Sequence, residues 1–484
     1  MPNRGDTRMT INRDNLCLLT DSYKQSHHRQ YPPGTETVYS YFESRGGAFP
    51  ETVFFGLQYI LKRYLAGEFR IDAMGVADAR ELCALHFGRD DLFNVEGWKH
   101  LLHDHFGRLP LRIRAVPEGT VVPVHNVLMT VENTCPKCFW VTNFFETLLV
   151  QVWYPITVAT QSREIKRVIH GFLERTGDVA GLPFKLHDFG FRGVSSVESA
   201  GIGGAAHLVN FLGTDTLQGL DVVRRYYGES GGTDDPSRCA GFSIPASEHS
   251  TITSWGRERE IDAFSNMLEQ YPTGLVACVS DSFDVRKACS DLWGKDLHDR
   301  VIERDGILVV RPDSGEPISS VVLDVVTRLG AAFGFTWNEK GYKVLHPKVR
   351  VIQGDGVNKD SIYDVLQTLA GQGWSADNVA FGMGGALLQK LDRDTLRMAF
   401  KCSYVNGKYG HGFWERDVFK DPATDPGKAS KRGRLALVRD GKGTLHTQRA
   451  DLTRPEDDIL QTVFEDGEVL VWHSLADVRG RAAL

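Results

Sequence analysis

The stretch Ile307-Leu-Val-Val-Arg-Pro-Asp-Ser-Gly315 decides how the chain is read. Four consecutive apolar residues, three of them β-branched, form the pattern of a buried strand. Pro312 and Gly315 end it, and between them stand a cation and an anion, Arg311 and Asp313. Ligands of α/β folds bind beyond the carboxyl ends of strands, so an apolar run that empties into charge and turn residues marks a candidate site wall. The arrangement repeats. Residues 207–212 run into Gly213-Thr-Asp215, 241–245 into Glu248-His249, 275–279 into Asp281, 349–352 into Gly354-Asp-Gly356, and 378–381 into Gly382-Met-Gly-Gly385. A spacing of about 30 to 40 residues accommodates strand, loop, helix and return, the unit of a (β/α) barrel. The repeat predicts an α/β fold with an irregular (β/α) barrel-like domain over residues 151–391, in preference to an open doubly wound sheet.

The flanks read differently. Residues 12–30 have helical signals, with Asp14 as a candidate N-cap and a polar middle, Thr20-Asp-Ser-Tyr-Lys24. Residues 37–42 alternate and are rich in β-formers, delivering Glu43 and Arg45 at their end. Helical spacing returns at 52–65. Residues 111–116 and 120–131 read as antiparallel strands. An apolar helix is expected over 139–152 and an amphipathic one over 160–175. Beyond the barrel, 397–405 reads as a strand, 406–417 as a glycine-rich loop, 428–434 as a basic cluster, and 460–464, 467–472 and 475–478 as short strands and a closing turn. The C-terminal segment, 392–484, is expected to complete the sheet begun in 1–150, giving one discontinuous α+β domain built from both chain ends.

A chain of 484 residues exceeds what one core usually serves. Its 42% hydrophobic and 24% charged content is that of a soluble globular protein. A net charge of −6 argues against general nucleic-acid binding. No run approaches a membrane span and the polar start lacks a signal core, so a cytoplasmic location is expected. Eight cysteines do not suggest a disulfide framework. Cys135-Pro-Lys-Cys138 has the spacing of a zinc knuckle or redox pair, but no second CxxC or close HxxxH follows it, so it reads as two thiols in a turn.

The chemistry gathers at the strand ends. Glycines at 354, 356, 384 and 385 let backbone N–H groups approach an anion, which suits phosphate. Arg45, Arg192, Arg311, Arg393 and Lys401 sit near strand ends or in polar turns, and a convergent set of such cations would grip a multiply phosphorylated ligand. His249, beside Glu248, is a candidate base or phosphate acceptor. Asp281, Asp313 and Asp355 end three successive runs, and carboxylates near phosphate suit Mg²⁺.

Taken in order, Thr20-Asp-Ser-Tyr-Lys24, Leu186-His-Asp-Phe-Gly-Phe-Arg-Gly-Val-Ser-Ser196, Gly213-Thr-Asp-Thr216, Glu248-His-Ser-Thr-Ile252, Arg311-Pro-Asp-Ser-Gly315, Val351-Ile-Gln-Gly-Asp-Gly-Val357 and Phe400-Lys-Cys-Ser-Tyr404 resemble the nicotinamide phosphoribosyltransferase family over nearly the full chain. The resemblance implies transfer of phosphoribosyl from phosphoribosyl pyrophosphate to nicotinamide, giving nicotinamide mononucleotide and pyrophosphate. It implies Mg²⁺, ATP as a stimulating co-substrate, and a homodimer with active sites at the subunit interface.

By the same resemblance, Phe189 stacks on one face of the pyridine ring and Tyr23 of the other subunit on the opposite face. Asp215 accepts from the carboxamide, and a carboxylate there would repel nicotinate. Arg192, Arg311, Asp313, Gly354, Asp355, Gly384 and Gly385 hold ribose and phosphates, and Arg45, Arg393 and Lys401 reach them from the partner. His249 matches the histidine that ATP phosphorylates, with Lys420 and Lys428 near its phosphate channel. His249, Arg311 and Asp313 are the expected catalytic group, with Asp281 and Asp313 at the metal. Departures from the family pattern are Ala399 in place of a small hydroxyl residue, Met383 within a glycine loop, and Phe191 in place of Tyr. The competing expectations are a nicotinate phosphoribosyltransferase, a non-catalytic binding or signalling protein on the same fold, and a metal-dependent barrel hydrolase built on His249 and His187.

Overall fold

The computed structural model describes residues 14–67, 70–228, 239–421, 424 and 429–484. The chain forms two compact units. One comprises residues up to Trp153 together with Arg393–His473, the other Tyr154–Asp392 together with Ser474–Leu484.

The second unit is built on a six-stranded parallel sheet in the order Gly213–Thr214, Leu186–Asp188, Val379–Met383, Val349–Gln353, Asp305–Arg311, Thr273–Val279. The segment around Ser243 bridges both edge strands, pairing Phe242 with Gly213 and Ala246 with Ala277. It therefore closes the sheet into an irregular barrel. Pro245 has no N–H to give a ladder, which limits this segment to single bridges rather than the strand expected over 241–245. Small and branched side chains fill the barrel centre: Ala277, Val309 and Ile352, with Phe189, Ile244 and Ala380 packed on them.

Helices cover the outside. In Ile318–Phe333 the residues Val322, Val325, Val326 and Leu329 recur at helical spacing and are all buried. Lys359–Gly371 starts at a capping box on Asn358, whose side chain accepts from the N–H groups of Asp360 and Ser361. The run at 207–212 is not a strand. His207 ends the helix Val197–His207, and the strand that follows is only Gly213–Thr214. A short apolar run does not by itself distinguish buried helix from strand, and here packing decides. A Cβ on Gly204 would lie 3.1 Å from the Cα of Gly219, so glycines let this helix approach Leu217–Tyr226 closely. Residues 475–478 are likewise helical, in Leu475–Ala482, capped by Ser474 and Asp477.

The first unit is organised by a seven-stranded antiparallel sheet that uses both ends of the chain. Its order is Gly412–Asp417, Met398–Tyr409, Thr35–Ser44, Val127–Asn133, Leu111–Ala115, Gln461–Glu465, Glu468–Val469. The 406–417 region is therefore a hairpin rather than a loop, turning at Gly410 with φ +60°. The helix expected over 12–30 is two 3₁₀ segments, Leu16–Leu18 and Ser22–Arg29. The first is capped by Asn15, not Asp14, and 12–13 lie outside the described residues. Tertiary hydrogen bonds displace the helical ladder here: Thr20 Oγ1 donates to the Phe144 carbonyl and buried Lys24 donates to Asn143 O and Glu146. The apolar helix at 139–152 is broken into Val141–Phe144, Glu146–Leu149 and Val150–Val152. The continuous helix is Trp153–Thr176.

Candidate active site

At the carboxyl ends of the parallel strands, charged side chains are wired together. Arg311 ends Asp305–Arg311 and grips Asp313 with two parallel hydrogen bonds, Nε to Oδ1 at 3.1 Å and Nη2 to Oδ2 at 2.7 Å. Gly354 makes room for this pair, since a Cβ there would lie 2.6 Å from Asp313 Oδ1. Asp281, buried beyond Thr273–Val279, accepts from Asp313 N–H at 2.8 Å and from Ser314 Oγ at 2.6 Å through Oδ2. Its Oδ1 lies 3.1 Å from His249 Nε2. A carboxylate only accepts, so Nε2 carries a proton, while Nδ1 faces Asp313 Oδ2 at 4.0 Å and makes no hydrogen bond among the described residues. His249 itself is the first residue of the short helix His249–Thr253, fixed by a capping box on Glu248, and its side chain is half-exposed.

Beside this network a cavity of about 610 Å³ is lined by Phe189, Arg192, Ser196, Asp215 and Arg311 among others. The Arg311 guanidinium lies over the Phe189 ring, 5.5 Å from its centroid. Phe189 is seated against Gly382, where a Cβ would come within 1.9 Å of the ring. Asp215 is exposed on the cavity wall. Ser243 Oγ donates to its Oδ1, while its N–H donates to Asp188 O at 2.9 Å. Asp188 is buried. Its Oδ1 accepts from Gly190 N–H at 2.7 Å, and its Oδ2 makes no hydrogen bond of good geometry among the described residues. Burial, ahead of the opposing Gly190 bond and with a smaller push from Asp215, raises its carboxyl to about 6.

The strand ends thus bring together Phe189, Arg192, Asp215, His249, Asp281, Arg311, Asp313 and Gly354. Asp355 and Gly384 follow the neighbouring strands, Asp355 exposed and Gly384 preceding the helical turn Gly385–Leu388. Met383 does not intrude into the glycine loop: it is the last residue of Val379–Met383, its side chain is buried, and its carbonyl accepts from Phe189 N–H at 3.0 Å. His187 and His249 join no group of candidate metal ligands among the described residues, and His187 Nε2 donates to the Phe184 carbonyl at 3.0 Å.

For Mg²⁺ the acids differ. Asp281 Oδ2 already accepts two donors and its Oδ1 holds His249, so the carboxylate of Asp281 is engaged as an orienting group. Asp313 pairs with Arg311 through both oxygens and faces His249 Nδ1 at 4.0 Å through Oδ2.

The first unit carries a separate cationic group. Arg45 follows Thr35–Ser44 and bonds Glu43 through Nε at 2.8 Å, while its buried Nη2 makes no hydrogen bond among the described residues. Burial holds the Lys401 ammonium below its ordinary range, and the charges of Arg45, Arg393 and Lys420 add to this against the pull of Glu146. Those three cations are near enough to act on Lys401. Tyr23 is 58% exposed, its ring edge-on to His27 at 4.8 Å. Lys428 lies outside the described residues.

Sequence reading missed Ser243, Ser314 as a partner of Asp281, and Asp188. Ser314 stood within the opening motif. Ser243 and Asp188 gave no signal, since a serine in an apolar run and an acid before a phenylalanine carry none.

The chain matches the model of the "Nicotinate phosphoribosyltransferase (NAPRTase) family" over residues 184–468 and that of the "Nicotinamide phosphoribosyltransferase, N-terminal domain" over 15–113. It is 52% identical over 478 residues to a nicotinamide phosphoribosyltransferase of Xanthomonas campestris pv. campestris (strain 8004), covering 97% of this chain and 98% of the relative. To the protein of the same name from Acinetobacter baylyi it is 34% identical, covering 97% of each. Among solved structures, nicotinate-nucleotide pyrophosphorylase from Pyrococcus furiosus superposes with a TM-score of 0.59 at 15% identity, over 99% of this chain and 97% of that one. Human nicotinic acid phosphoribosyltransferase gives 0.56 at 16%, over 96% and 93%. Those two likenesses speak to fold alone.

Proposed function

The chain belongs to the nicotinate phosphoribosyltransferase family as one of its nicotinamide phosphoribosyltransferases, and from that premise we propose that it salvages nicotinamide for NAD synthesis, with ATP hydrolysis coupled through His249. The pyridine nitrogen of nicotinamide attacks C1 of phosphoribosyl pyrophosphate, the C1–O bond to pyrophosphate breaks, and nicotinamide mononucleotide and pyrophosphate leave. The nucleophile needs no base, so the protein's work is positioning and charge stabilisation. Phe189 takes one face of the ring, and Tyr23 of the partner subunit in a homodimer takes the other. The Oδ2 of Asp215, left open by Ser243, accepts from the carboxamide NH₂.

Arg192 and Arg311 hold the ribose phosphate end, with Asp313, Asp355 and the backbone at Gly354, Gly384 and Gly385. Arg45 of the partner subunit reaches the phosphates: its buried Nη2 is a donor without an acceptor among the described residues, and a phosphate oxygen supplies one. Arg393, Lys401 and Lys420 add charge, as does Lys428 in the expectation drawn from the family. Mg²⁺, when bound, neutralises the leaving pyrophosphate, and Asp313 would hold it with Asp281 behind. The open Nδ1 of His249, oriented by Asp281, suits attack on the γ-phosphorus of ATP: the Nδ1–P bond forms as the P–O bond to ADP breaks.

The observation that carries this reading is the convergence of Phe189, Asp215 and Arg311 on one cavity, with Arg311 linked through Asp313 and Asp281 to His249. Asp215 favours the amide over the acid, because nicotinate would set a carboxylate against a carboxylate. Replacing Asp215 by Asn tests it. Preference should move toward nicotinate, with kcat/KM for nicotinamide falling at least about tenfold. An unchanged ratio between the two substrates would remove Asp215 from the specificity argument.

A further inference from the structure

A second constellation lies in the first unit and has no part in the transfer just described. The loop after Val127–Asn133 carries Cys135 and Cys138 in a tight 3₁₀ turn, Cys138 N–H donating to the Cys135 carbonyl at 2.9 Å. The helix Val95–Asp104 ends beside it, bringing His100 from its last turns and His105 from the cap position. One donor atom from each of His100, His105, Cys135 and Cys138 lies within 4.8 Å of all the others, and among the described residues this is the one such grouping of His, Cys, Asp or Glu. Both cysteines are free thiols, Cys138 fully buried and the other three side chains partly so.

We propose that His100, His105, Cys135 and Cys138 form a structural zinc site. A tetrahedral zinc ion with N and S ligands sets its donor atoms about 3.3–3.8 Å apart, so the four need only small rotations to close on one ion. His100 Nε2 is already 3.4 Å from Cys135 Sγ. Its other nitrogen, Nδ1, is 2.7 Å from Asp104 Oδ2. That carboxylate fixes the tautomer and aims Nε2 at the thiols, the arrangement by which second-shell acids orient zinc-bound histidines. Two thiolates and two imidazoles select zinc over magnesium, calcium or manganese, which take oxygen. With four protein ligands the site has no open position for substrate, so its work is to fasten helix to strand.

The aromatic packing around it fits a fastener. Trp98, on the same helix, is fully buried against Trp140, two residues past Cys138, with ring centroids 4.7 Å apart. The histidines precede the cysteines by some thirty positions, which is why a search for ligands after the CxxC does not find them.

The test uses the full-length chain, free of any tag and purified without chelator. Elemental analysis should find one zinc per chain. After removal of that zinc, titration with Co²⁺ should give intense visible bands with a thiolate charge-transfer band, and added zinc should abolish both. Asp104→Asn should weaken Co²⁺ binding about ten- to a hundredfold with the thiolate band retained. In Cys135→Ser/Cys138→Ser the zinc and the band should be lost. Wild-type protein with neither zinc nor a cobalt–thiolate band overturns the proposal. So does a Cys135–Cys138 disulfide in thiol titration, or zinc that persists in the double-serine variant. The wild-type measurements stand even if that variant fails to fold.

Discussion

Asp281 shows how much one side chain carries at the strand ends: a single buried carboxylate holds His249, the backbone of Asp313 and Ser314 at once. Asp281→Asn keeps the shape, but with its carbonyl oxygen on the Asp313 N–H and Ser314 hydroxyl its N–H₂ points at His249 Nε2, donor against donor. The ATP-stimulated component of turnover should fall about tenfold or more, since general positioning of a nucleophile contributes on that scale. His249→Ala should abolish ATP stimulation and leave ATP-independent transfer measurable; stimulation that survives the loss of the imidazole would end the phosphohistidine proposal.

Asp188 makes a prediction about pH. Its folded-state carboxyl is raised from 3.8 to about 6, chiefly by burial. Between those values the native state binds a proton that the unfolded state has released, so stability falls as pH rises through the window and is flat above it. The full shift corresponds to about 3 kcal/mol. Denaturant midpoints should therefore drop between pH 4.5 and 7 by more in the wild type than in Asp188→Asn, and equal drops would show that Asp188 is not the group. At this scale Arg311, Asp313, Asp281 and His249 were legible because each ends an apolar run. Asp188 was not, because its importance comes from burial, which only the fold reveals.

At the scale of elements, two glycines hold the site open. Gly354→Ala would drive a Cβ to 2.6 Å from Asp313 Oδ1, and Gly382→Ala to 1.9 Å from the Phe189 ring. Gly354→Ala should lower kcat/KM for phosphoribosyl pyrophosphate, and Gly382→Ala should raise KM for nicotinamide. Each effect should be about tenfold or more, with the fold retained by circular dichroism. Wild-type kinetics in either variant would mean that the neighbouring pair or ring shifts without consequence.

The strands Thr273–Val279, Asp305–Arg311, Val349–Gln353 and Val379–Met383 could be read from sequence because both their faces are apolar. Residues 207–212 were misread for the same reason: a buried helix end is equally apolar. The hairpin Met398–Tyr409 to Gly412–Asp417 was hidden by its glycines, and the N-terminal 3₁₀ segments by hydrogen bonds to residues more than a hundred positions away.

At the scale of the whole molecule, the return of Met398–Tyr409 and Gln461–Glu465 to the sheet started by Thr35–Ser44 makes the first unit discontinuous. That pairing was foreseeable, since short β-rich segments at both ends need partners, but its register was not. No described helix is long and apolar enough to cross a membrane.

The proposed sharing of active sites between two copies has its own test. Tyr23→Ala and Asp215→Ala, each inactive alone, should regain part of the wild-type rate when combined in verified heterodimers, and no recovery would count against shared sites. The central claim is tested most directly on the wild-type protein. Product formation from phosphoribosyl pyrophosphate and Mg²⁺ is measured with nicotinamide or nicotinate, each with and without ATP. Turnover of nicotinamide, raised by ATP, with little or none of nicotinate is the predicted result; preference for nicotinate, or no product from either, would contradict it.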